Sequence, residues 1–176
     1  MSANFISDSS DISTYKSQQS YRRIVVKAGT SLLTGGTDSL NLDIMSSIVG
    51  QIAYLHSKSA EILLISSGAV AAGRNALELS QDSKDISFRQ VLAAVGQGRL
   101  MHVYQQLFES YDIGVGQALL SRKDLTDRLG YLNVRNTLLA LLEHNIVPII
   151  NENDVVSIDE LIGEGFGDND TLSALV

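Results

Sequence analysis

Three short apolar runs in this chain each lead, without a linker, into a segment of small or polar residues. Ile24-Val25-Val26 runs into Lys27-Ala28-Gly29-Thr30-Ser31, Ile62-Leu63-Leu64-Ile65 into Ser66-Ser67-Gly68, and Ile146-Val147-Pro148-Ile149-Ile150 into Asn151-Glu152-Asn153-Asp154. Runs that are apolar at consecutive positions suit strands covered on both faces, and strands alternating with helical patterns require a parallel sheet. In an open parallel sheet every strand's carboxyl end points to one edge, where ligands bind. One edge is therefore expected to carry a lysine, glycine and hydroxyl turns, and a cluster of carboxylates and amides. A fourth polar segment, Gly167-Asp168-Asn169-Asp170, adds to that set. It is an inventory for holding or moving a phosphoryl group beside a polar substrate.

Between the strands the apolar period changes from that of a strand to that of a helix. A helix is expected to start near Asn41, with Ile44, Ile48, Ile52 and Leu55 on one face, and a small-residue helix over 69–77. A long helix is expected over 86–110, with Leu92, Val95, Leu100, Val103 and Leu107 inward. A strand over 115–120 and a helix over 132–144, striped by Val134, Leu138, Leu141 and Leu142, complete the pattern. No internal repeat is present.

Composition removes several classes of function. At 176 residues and 44% hydrophobic, the chain can bury one proper core. Net charge is −7 with no lysine or arginine block, which argues against a nucleic-acid or anionic-membrane surface. No apolar run approaches the roughly 20 residues of a spanning helix. The chain has no cysteine, so disulfides, thiolate catalysis and cysteine zinc sites are excluded. His56, His102 and His144 lie far apart and read as surface or helix-end residues, so no residue is assigned to a metal. Residues 1–20 are serine-rich, lack an apolar period and carry Asp8 and Asp11 without arginine. They read as a disordered lead-in rather than a secretory or mitochondrial address, with a cytoplasmic location expected. At the other end Asp170 reads as the cap of a helix that stops after about two turns, so the chain is expected to end inside a domain.

Each motif has a plainer alternative. Lys27 closes a strand and precedes a glycine, so its ammonium leaves the sheet edge where backbone can approach a ligand; an ordinary solvated lysine would look the same. Thr30 and Ser31 suit either a helix cap or phosphate oxygens. Ser66-Ser67-Gly68 stands where a strand turns into a helix, which makes an anion site or a simple serine cap. Four polar residues in succession at 151–154 exceed the needs of one turn, which favours ligand contact with Asn151 and Asp154 facing inward. In Gly165-Phe166-Gly167-Asp168-Asn169-Asp170, capping accounts for Asp170 but not for Asp168 and Asn169. A calcium loop is ruled out, since its sixth position would be Ser173 rather than glycine. Gly96-Gln97-Gly98 falls inside a helical pattern and reads as helix packing or a local kink. No G-x-x-x-x-G-K-[ST] loop and no H-R-D set is present.

The blocks Ile24 to Ser31, Ser66 to Gly73, Ala93 to Leu100, Val147 to Asp154 and Phe166 to Ala174 together resemble the amino acid kinase family, in the right order from about Arg23 onward. The Asn-Glu-Asn-Asp and Gly-Asp-Asn-Asp pair resembles its glutamate-phosphorylating branch in particular. The resemblance implies an α/β fold, a three-layer αβα sandwich on a mainly parallel open sheet. It implies that residues 21–176 are the N-terminal, amino-acid-binding portion of such a domain, whose adenine-binding part and second catalytic lysine lie beyond Val176. It also implies phosphorylation of the L-glutamate γ-carboxylate to glutamyl 5-phosphate with ATP and Mg²⁺, the first step of proline synthesis. Homo-oligomers and feedback inhibition by proline belong to the same implication. Carried over by motif, Lys27 contacts the ATP phosphates together with Gly29, Thr30 and Ser31. Ser67 with Gly68, Asp154 and Asn169 contact glutamate, Asn151 and Asp168 line the same pocket, and Asp170 orients the catalytic lysines. Ala28 replaces the usual leucine or valine. Loop 158–165 is longer than usual and carries Glu164-Gly165 where a basic residue is common. The rival readings are a kinase of aspartate or N-acetylglutamate, and a non-catalytic amino-acid-binding module.

Overall fold

A computed structural model of the chain describes residues 22–77 and 85–156. The lead-in 1–20, the loop 158–165 and the segment holding Gly167, Asp168, Asn169 and Asp170 lie outside the described residues. In chain order the elements are β1 (Arg23–Ala28), α1 (Thr30–Thr34), α2 (Leu42–Ser57), β2 (Glu61–Ser66) and α3 (Ala69–Ala76). They continue with α4 (Ile86–Glu109), β3 (Val115–Leu120), α5 (Arg122–Thr126), α6 (Arg128–Glu143) and β4 (Val147–Glu152).

The four strands are parallel in the order β1-β2-β4-β3, so the two most apolar runs form the interior of the sheet. Alternation along them separates two cores. Ile62 and Leu64 of β2, with Val147 and Ile149 of β4, meet Met45, Val49, Leu100 and Phe108 from α2 and α4. Leu63 and Ile65, with Ile150 and Leu120, meet Leu138 and Leu142 of α6 on the other face. Helix, sheet and helix therefore make three layers, as the doubly apolar strands imply.

The helices form for local reasons and settle by packing. The Asn41 side chain accepts from the Ile44 amide at 3.1 Å, capping α2 as its position in sequence suggests. The buried face of α2 is Met45, Val49, Ile52 and Ala53, one residue around from the expected stripe, with Ile44, Ile48 and Leu55 at its margin. In α4 the buried line is Leu92, Gly96, Leu100, Tyr104 and Phe108, and Val95 is exposed, against expectation. The small-residue helix α3 sets that line. A Cβ on Gly96 would stand 1.8 Å from the Ala69 carbonyl oxygen, and one on Gly73 1.9 Å from that of Leu92. Gly96 thus serves helix packing, and α4 continues through it without a break.

Two strands run further than their apolar residues. β1 includes Lys27 and Ala28, paired with Ile65 and Ser66, and β4 includes Asn151 and Glu152, paired with Leu119 and Leu120. Hydrogen bonding to a neighbour continues where hydrophobicity stops, so the first polar residues of both motifs stand on the sheet rather than in a turn.

Candidate functional site

Beyond β2 the chain must turn sharply into α3, and Gly68 takes φ +103°, which a residue with a side chain rarely adopts. The Ser67 amide donates to the Ala28 carbonyl at 2.9 Å, holding the end of β1 beside this turn. The two serines then diverge. Ser66 Oγ turns into the core, 2.9 Å from the Tyr104 hydroxyl, which burial pushes up to about 12. Ser67 lines an open cavity of about 310 Å³ at the strand ends.

That cavity gathers much of the expected set. Thr30, Ser67, Gly68, Asn151 and Asp154 are on its wall, together with Ala69, Val70 and Ala71 at the start of α3. Amides at a helix start carry partial positive charge. Asp154 is buried and its carboxyl is pushed up from 3.8 to about 7, first by burial, then by the negative charge of Glu152, with the Arg89 guanidinium opposing. A carboxylate held so far from its ordinary range gains from any cation that reaches it.

Lys27, Gly29 and Ser31 are outside the wall but on the same edge of the sheet. The Lys27 side chain folds back across the following turn, its Nζ 3.3 Å from where a Cβ on Gly29 would be. Any larger residue at Gly29 would displace the ammonium. Next comes α1, closed by Gly35 and Gly36, whose amides donate to Leu32 and Ser31 at 3.1 Å each. Glu152, in the same polar run as Asn151 and Asp154, is a buried strand residue.

The cavity also holds residues that the sequence did not single out: Thr37, Asp38, Arg74 and Arg89. Arg74 is 3.6 Å from Asp38. Arg89 arrives from the first turns of α4, whose cap is Asp85. Neither arginine sits in a motif, and only packing of α3 and α4 against the strand ends brings them here. Acid, guanidinium groups and helix-start amides in one cleft suit a small ligand carrying both an ammonium and carboxylates. Among the described residues no three histidine, aspartate or glutamate side chains gather as metal ligands.

The sequence matches the amino acid kinase family over residues 22–176. A glutamate 5-kinase of Dehalococcoides mccartyi (strain CBDB1) is 54% identical over 156 residues, covering 89% of this chain and 42% of that protein. One from Herpetosiphon aurantiacus is also 54% identical, covering 89% and 41%. A third, from Haemophilus influenzae (strain ATCC 51907 / DSM 11121 / KW20 / Rd), is 50% identical, covering 88% and 41%. The chain therefore spans about two fifths of the length of the curated relatives it matches. Among solved structures, carbamate kinase from Giardia lamblia bound to AMP-PNP aligns with TM-score 0.46 and 15% identity, over 76% of this chain and 56% of that one.

Proposed function

The chain belongs to the amino acid kinase family, and from that premise we propose that the protein containing it phosphorylates the γ-carboxylate of L-glutamate with ATP, yielding glutamyl 5-phosphate for proline synthesis. The observation that carries this reading is 54% identity to glutamate 5-kinases over 89% of the chain. The cavity supports it, because a buried acid beside helix-start amides matches an amino acid with a second carboxylate.

A glutamate γ-carboxylate, with an ordinary pKa of about 4.3, is already ionised at neutral pH and needs no general base. The obstacle is repulsion between this anion and the polyphosphate. Catalysis therefore rests on positioning and charge neutralisation as a carboxylate oxygen bonds to the γ-phosphorus and ADP departs. Asp154 takes the substrate's α-ammonium, with Ser67, Gly68 and Asn151 around the same molecule and Asp168 and Asn169 assigned to the same substrate by motif. Lys27 takes phosphate oxygens with Gly29, Thr30 and Ser31, and Asp170 orients the lysine. Mg²⁺, when bound to the nucleotide, would supply further neutralisation of phosphate charge beside the Lys27 ammonium. Proline, a smaller amino acid with an α-carboxylate and a secondary, ring-closed ammonium, fits the role of an inhibitor at this seat. A homo-oligomer in the cytoplasm completes the proposal; no helix among the described residues is long and apolar enough to cross a membrane.

The raised Asp154 carboxyl favours a free amino acid over N-acetylglutamate, which has no ammonium to relieve it. Trapping of the acyl phosphate by hydroxylamine tests this in the full-length protein supplied with ATP and Mg²⁺. Hydroxamate should form with glutamate, and at least a hundredfold more slowly with aspartate or N-acetylglutamate. Preference for either rival would overturn the assignment.

A further inference from the structure

Arg89 belongs to the first turns of α4, its amide donating to the Asp85 carbonyl at 3.0 Å. Asp85 also caps the helix, its carboxylate accepting from the Ser87 amide at 3.2 Å. The next side chain ties this helix start to the segment beyond β4. Gln90 Nε2 donates to the Val155 carbonyl at 3.2 Å, across 65 residues of sequence. Arg89 and Asp154, the neighbours of that pair, stand on the wall of one cavity. The half-buried guanidinium is close enough to favour the ionised form of the Asp154 carboxyl. A positive and a negative side chain are thus held beside each other at the cavity, each by its own element.

We propose that Arg89 is a specificity-determining residue that holds the substrate's α-carboxylate, the group on the same carbon as the ammonium taken by Asp154. The assignment follows from the order of charges along the ligand. Glutamate carries its ammonium and one carboxylate on a single carbon, and its second carboxylate beyond two methylenes. The cavity offers positive charge in two places. Arg89 is the one beside Asp154. The other is the start of α3 at Gly68, which the Ser67 amide ties to Ala28 at the end of β1, next to Lys27. With the ammonium on Asp154, the α-carboxylate falls to Arg89 and the γ-carboxylate to the phosphate side. The chemistry agrees with this order. A guanidinium grips a carboxylate through two parallel N–H bonds, which suits a group that is recognised rather than one that must attack phosphorus. It also carries five N–H donors, so contacts with acids of its own chain do not prevent it from receiving a ligand carboxylate. The inference rests on the reading of this cavity as the amino-acid seat.

The test compares L-glutamate with L-isoglutamine in the full-length protein supplied with ATP and Mg²⁺. Isoglutamine keeps the ammonium and the γ-carboxylate but carries an amide in place of the α-carboxylate. Wild type should phosphorylate it with a kcat/KM about a hundredfold below that for glutamate, the scale for losing one partner of a charge pair. In Arg89→Met the glutamate kcat/KM should fall about a hundredfold and that for isoglutamine less than about fivefold, with the ATP KM within about twofold of wild type. The small loss on isoglutamine reflects Asp154, whose ionised form Arg89 favours. Arg89→Lys keeps the charge without the fork and should lie between the two, still preferring glutamate. Both substrates are measured on one preparation, so partial unfolding of a variant cancels from their ratio. Equal losses on both substrates in Arg89→Met would mean that Arg89 only supports Asp154 or the fold, and an unchanged glutamate kcat/KM that it faces solvent; either result overturns the proposal. A wild type that uses both substrates equally well overturns it too. If wild type phosphorylates no glutamate, the reading of the cavity fails first; an active wild type whose preference survives Arg89→Met sinks the role of Arg89 alone.

Discussion

At Asp154 the fold holds a carboxyl in a place that favours its neutral form, and the consequence is measurable. Its folded pKa of about 7 lies above the ordinary 3.8. Below about 3.8 the group is protonated whether the chain is folded or not, and its contribution to stability is fully present. Between 3.8 and about 7 the unfolded chain releases the proton and the folded one keeps it, so stability falls as pH rises, and levels off above 7. The isosteric Asp154→Asn variant escapes this loss. Urea denaturation without ligand should show variant and wild type alike near pH 4 and the variant more stable at pH 8. A difference that does not vary with pH would remove the buried acid. Lys27 predicts the opposite kind of effect. Its ammonium lies over Gly29 at the phosphate side of the proposed site, so Lys27→Ala in the full-length protein should cost about 3 kcal/mol of transition-state stabilisation, a loss of roughly a hundredfold in kcat, by the scale for one preorganised donor. Turnover close to wild type would dismiss its role.

Among the elements, α4 shows most clearly how one residue type has opposite effects two positions apart. Gly96 is pressed against α3 backbone, whereas a Cβ on Gly98 would meet nothing within 4 Å. Gly96→Ala should destabilise by about 3 kcal/mol, since two backbones must separate rather than a side chain shift. Gly98→Ala, at an exposed helical position, should stabilise by about 0.5–1 kcal/mol through helix propensity and a less flexible unfolded chain. Thermal denaturation of both variants checks the pair. Equal and small effects would mean that α3 and α4 are not in close contact. The same contact explains Val95, whose apolar character suggested burial. The side of α4 facing α3 is chosen by the glycine and alanine positions that permit close approach, not by the largest side chains.

For the whole molecule, β2 is the strand that joins the two cores. Leu64 belongs to the cluster under α2 and α4, and Leu63 and Ile65 to the one under α6. Leu64→Ala should cost about 3 kcal/mol, within the range for truncating a fully buried leucine. Because the strand is common to both layers, the loss should appear as one earlier transition, with helix content by circular dichroism and tyrosine absorbance falling together. Two separated transitions would show that the layers fold independently. The strand runs, the helix start near Asn41 and the parallel arrangement were all legible in the sequence, because each is written in a run of neighbouring residues. The Ser66-Ser67 pair, Asn151 and Asp154 were legible for the same reason, as polar residues close behind apolar strands. Arg74, Arg89 and the Gln97–Asn151 hydrogen bond were not. No local period marks an arginine that reaches a cavity by way of helix packing, or two amides 54 residues apart that meet only after folding. By itself the sequence determined which segments are strands, that their carboxyl ends share an edge, and what chemistry that edge carries. Only the tertiary structure decided how far β1 and β4 run, which serine faces the cavity and which the core, and how strongly Asp154 resists ionisation. Those outcomes depend on strand register, helix packing and desolvation, which are properties of residues distant in the chain.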